Sequence, residues 1–125
     1  MATAAEEITD ACRQAFDAKR EVFLPDDITL KLLSYEQGAG EVELIEITDG
    51  WMVKQSKDRS TSMVTVQIVD GDNELDSIMR PPPDTVGVSR FSMDGKTYRV
   101  ESGGIIPPLA APRIWEITGE EIRVQ

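Results

Sequence analysis

Carboxylates are the only plentiful reactive groups in this sequence. Histidine is absent, which removes the commonest general base, the usual member of a catalytic triad and the commonest metal ligand. The one cysteine, Cys12, cannot build a zinc or iron–sulfur site, nor an internal disulfide. It falls on the apolar stripe of a helical pattern, where a thiol is expected to be buried and inert. The densest acidic run is "DGDNELD" at 70–76, with Asp70, Asp72, Asn73, Glu74 and Asp76. It does not match a calcium loop, because Gly71 comes too early and no bidentate glutamate follows at the required distance. It reads as a solvated acidic turn. A pair of acids working as in a glycoside hydrolase needs two carboxylates in one pocket. An acidic chain supplies many candidates, so this leaves a carboxylate-dependent hydrolase as an alternative without naming its residues. Gly38-Ala39-Gly40 lies between two strand patterns with no helix behind it, so it reads as a turn and not as a phosphate cradle. No cofactor is implied.

The chain has 125 residues, enough for one domain over 1–125, and 40% of them are hydrophobic. Thirteen basic residues against twenty-three acidic ones give a net charge of −10. The basic residues are scattered, and their densest cluster, "KQSKDR" at 54–59, contains an aspartate, which argues against gripping nucleic acid. No apolar run approaches the ~20 residues of a membrane span. The N-terminal stretch has neither the basic start nor the apolar core of a secretory signal, and with a single cysteine the expectation is folding in the cytoplasm.

The elements that would position any site begin with an amphipathic helix over 4–19. Ile8, Ala11, Cys12, Ala15 and Phe16 recur at helical spacing, Thr3 and Glu6 fit a capping box, and Pro25 lies beyond the helix end. Asp10 and Asp17 point away from that stripe and are expected in solvent. From residue 27 to 125 the period becomes two. Ile28, Leu30 and Leu32 share one strand face; Val64, Val66 and Ile68 share another. In "GEVELIEIT" the phase shifts from Val42 and Leu44 to Ile45 and Ile47, which predicts a β-bulge near Leu44–Ile45. "GVSRFSM", "KTYRVES" and "RIWEITG" add strands, and "EIRVQ" adds a short terminal one. The class is mainly β, a small β-barrel or sandwich with one N-terminal α-helix.

Two connections carry more than turn chemistry. Over 70–85, Pro81-Pro82-Pro83 stiffens a long loop in extended geometry and withholds ladder donors. After a hairpin turn at Asp94-Gly95, where both residues tolerate positive φ, "IIPPLAAP" sets Ile105, Ile106 and Leu109 among three prolines. A stiff loop with aliphatic tips loses little entropy on docking, so these three are candidate partner contacts, as are Pro81, Pro82 and Pro83. The other reading of the loop is that its aliphatics fold back over an open end of the barrel.

Helix, β-rich body, the hairpin "DGKTYRV" and the strand "RIWEI", with Gly95, Tyr98, Val100 and Trp115 in sequence, resemble tailed-phage head–tail connectors. The likeness is to the head-completion or stopper group that includes lambda's head–tail joining protein. It implies a non-enzymatic virion protein, made in the host cytoplasm, that forms a homo-oligomeric ring at the neck. Its partners would be portal or adaptor and tail proteins, and DNA would pass through the lumen without specific binding. Six copies would carry on the order of −60 charges around such a channel. A tail-tube or tail-terminator protein is the nearest alternative.

Overall fold

The computed structural model describes residues 4–24, 28–54, 63–70, 75–80, 83, 87–105 and 113–122. Helix α1 (Ala4–Phe23) precedes β1 (Leu30–Glu36), β2 (Gly40–Ile47), β3 (Trp51–Lys54) and β4 (Met63–Asp70). The short helix α2 (Asp76–Met79) then leads to β5 (Arg90–Met93), β6 (Lys96–Ile105) and β7 (Arg113–Glu121). All seven strands join one antiparallel sheet in the order β2-β1-β5-β6-β7-β4-β3. The mainly-β body with one N-terminal helix is therefore present. The helix runs four residues past the expected Lys19. Of "EIRVQ", Glu121 closes β7, and residues 123–125 lie outside the described residues.

Why the sheet coils follows from its connections. β2 and β3 are opposite edges, yet only Thr48, Asp49 and Gly50 join them. Seven flat strands would set those edges about 29 Å apart, at ~4.8 Å per neighbour. The connection spans at most about 14 Å, at ~3.5 Å per step. The sheet must curl until two corners of its edges nearly meet. No ladder joins β2 to β3 among the described residues, so the curled sheet stays open.

The concave face is the core. Trp51, Ile68 and Trp115 stand opposite one another across β3, β4 and β7, and Ile45, Leu32, Phe91 and Tyr98 do so across β2, β1, β5 and β6. The Phe91 and Tyr98 rings stack with centroids 5.0 Å apart. Gly119 occupies this face for lack of room. A Cβ there would come within 2.5 Å of Phe91 Cε1 and 2.9 Å of the Arg99 carbonyl oxygen. Two bulges adjust the curl. Leu44 is left out of the β1–β2 ladder, where the change of phase in the sequence places it, and Glu101 is left out between β6 and β7.

Candidate functional site

The described parts of the two connections singled out in the sequence share one end of the sheet. Ile105 closes β6 opposite Trp115, and α2, from the 70–85 connection, lies against the same end. Leu75 is buried in the core, Met79 packs on Gly103, and the Arg80 guanidinium sits 5.7 Å from the Trp115 ring centroid. Pro83 is exposed. Ile106, Leu109, Pro81 and Pro82 lie outside the described residues. The hairpin at Asp94-Gly95 is at the opposite end. Its φ values of 51° and 74° are those of the expected turn, and both residues are exposed. This pair forms the turn between β5 and β6.

The acidic run does not converge on a ligand through its described members. Asp70 is buried, and its Oδ2 accepts a 3.0 Å hydrogen bond from Trp115 Nε1 and one of 3.4 Å from the Leu75 amide. Asp76 pairs with Arg80 and, at 3.6 Å, with Arg113. These carboxylates hold α2 and the indole in place. Among the described residues no group of three or more His, Cys, Asp and Glu side chains is placed to hold a metal ion. A cavity of about 150 Å³ opens between the end of β2 and the end of β4, where Glu46, Asp49 and Asp70 share the lining with Arg13. Burial, followed by the charges of Glu121 and Asp94, raises the pKa of the Tyr98 hydroxyl above its ordinary value.

The helix is rotated from its expected seating. Asp17, expected in solvent, accepts 2.7 Å hydrogen bonds at Oδ1 from the Gly50 amide and from Arg20 Nη1. Arg20 is 4% exposed; it also donates to the Trp51 carbonyl at 3.1 Å, and its guanidinium lies 4.9 Å from the Trp51 ring centroid. These charge-assisted bonds seat a polar stripe on β3. Part of the apolar stripe consequently turns outward, while its Phe16 stays half-buried. Ile8 is 52% exposed, Ala11 and Ala15 are exposed, and Cys12 is only half-buried. Apolar periodicity alone hid this anchor; the i, i+3 spacing of Asp17 and Arg20, with a glycine turn ahead of Trp51, is the sequence signal for it.

The remaining open feature is the outer edge of β2. α1 packs along β3 and β4, covering that side, while among the described residues β2 has β1 as its one ladder partner. Register gives the edge strand two unlike faces. Val42, Ile45 and Ile47 stand opposite Ser34, Leu32 and Leu30 on the concave side. Glu41, Glu43 and Glu46 stand opposite Tyr35, Leu33 and Lys31 on the convex side. Val42 is 48% exposed. Arg90 bonds Glu41 at 2.7 Å and lies 3.9 Å from the Tyr35 ring centroid, and Lys31 approaches Glu43 at 3.7 Å.

Neither a family model, nor a curated protein, nor a solved structure matches this chain.

Proposed function

We propose that this chain is a non-enzymatic assembly subunit. The observation that carries this reading is that, among the described residues, the most exposed large aliphatics, Ile8 and Val42, sit on α1 and on the edge strand β2. Isolated exposed apolar residues are ordinary, but Ile8 continues through Ala11 and Ala15 as an outward strip, and Val42 lies on a strand edge unpaired among the described residues. Both suit burial against another chain. The sequence resemblance, carried by Gly95, Tyr98, Val100 and Trp115, supports a place in the head–tail neck of a tailed phage. There the subunit would form a ring between portal or adaptor and tail, dock the tail and retain DNA. The net charge of −10 per copy suits a lumen along which DNA slides without sticking. The protein would be made in the host cytoplasm and end in the virion.

Light scattering over a wide concentration range, with electron cryomicroscopy of particles, tests this. The expected result is a discrete ring mass and density at the neck. Stacked rings or polymers would shift the assignment to a tail-tube or tail-terminator subunit. A monomer at every concentration with no density in the virion overturns the proposal, as does substrate turnover that depends on acids such as Glu46 and Asp49 at the cavity beside Arg13.

A further inference from the structure

The β2 edge specifies more about a partner than that one exists. An edge strand presents unpaired amides and carbonyls along its length, and an added strand satisfies them with main-chain hydrogen bonds. The side chains beside that edge then select what the added strand carries. On the concave side the neighbours are Val42, Ile45 and Ile47; on the convex side they are Glu41, Glu43 and Glu46. Side chains alternate between faces with period two, so one extended segment can meet both demands only by alternating apolar with basic residues.

We propose that the outer edge of β2 takes an eighth antiparallel strand from a different protein, a segment alternating aliphatic with Lys or Arg. This deepens the assembly reading above and rests on it. A second copy of β2 fits poorly at this edge. Paired with itself, the strand would set glutamates beside glutamates, a like-charge arrangement that destabilises cross-strand pairs. Lys31 and Arg90 offset part of the edge's charge, yet Glu41, Glu43 and Glu46 on the convex side outnumber them. A basic strand therefore gains attraction where an acidic one meets repulsion. The bulge at Leu44 divides the edge, so pairing is expected on both sides of it, over 40–43 and 45–47.

The test uses two capped heptapeptides, one alternating valine with lysine and the other valine with glutamate. Each is N-methylated along one edge so that it offers a single hydrogen-bonding side. Hydrogen exchange of the whole protein is followed residue by residue with each peptide. With the lysine peptide at ten times its Kd, the β2 amides that exchange freely in the unbound protein should slow by up to about 11-fold. The glutamate peptide should leave them unchanged, and 0.5 M salt should weaken the effect. The triple variant Glu41→Lys, Glu43→Lys, Glu46→Lys should exchange the two preferences; should it not fold, the comparison of peptides on the unaltered protein still decides. Equal protection by both peptides, protection by neither, or concentration-dependent protection of β2 without peptide overturns the proposal. None of these readouts needs a virion or a ring, so loss of the strand-addition proposal and loss of the neck assignment are separately visible.

Discussion

Replacing Asp17 by alanine should destabilise the fold far more than a helix-surface aspartate would. Its carboxylate accepts from the Gly50 amide at 2.7 Å, a bond to a charged acceptor worth about 1.5–3 kcal/mol. It is also the carboxylate partner of Arg20, which is buried and whose Nε, like Trp51 Nε1, has no acceptor among the described residues. Removing one member of a buried pair costs ~3–5 kcal/mol because the other charge is left uncompensated. Asp17 is 24% exposed, so water can partly replace it, which brings the expected total to about 3 kcal/mol. At ~3–4 °C per kcal/mol this lowers Tm by roughly 10 °C. Arg20→Met should cost only about 1 kcal/mol, because Asp17 keeps the Gly50 amide and an unsatisfied donor disappears. In the double variant no charge is stranded, so it should lose about 2 kcal/mol, leaving a coupling of about 2 kcal/mol between the two sites. Urea unfolding followed by the fluorescence of Trp51 and Trp115 measures all three. A loss below about 1 kcal/mol for Asp17→Ala, or additivity of the two changes, would refute a buried polar anchor and return α1 to an ordinary amphipathic seating.

Gly119→Ala should cost about 2–3 kcal/mol by overpacking. Phe91→Leu in the same chain should recover part of this in chemical unfolding, because the ring can give way and the Arg99 carbonyl cannot. Trp115→Phe removes the indole donor to buried Asp70 and should cost about 2–3 kcal/mol in the same assay. The raised pKa of Tyr98 favours the neutral phenol in the folded state. Its contribution is thus complete below the ordinary tyrosine value of ~10 and is lost as pH rises through the higher folded value. Tm recorded from pH 9 to 12 should fall more steeply for the unaltered protein than for Tyr98→Phe.

Much of the fold is local enough to read along the chain. Period-two alternation marks the strands, the phase slip in "GEVELIEIT" marks the bulge at Leu44, and Asp94-Gly95 marks a tight hairpin, because each depends on a few neighbouring residues. The candidate surfaces were less legible. Ile8, Ala11 and Ala15 form an apolar stripe by spacing, and spacing alone directs such a stripe inward. What turned it outward is non-local: Asp17 and Arg20 meet Gly50 and Trp51, more than thirty positions away, in a constellation no window on the helix contains. The same holds for the edge. β2 and β3 are neighbours in sequence and would ordinarily be read as a hairpin; instead they lie at opposite edges of one curled sheet. By itself, the sequence determined which residues extend, turn and alternate. Only the tertiary structure decided which strands lie at the edges of the sheet and which face of α1 meets it, because strand partners and buried ion pairs are selected by contacts distant along the chain.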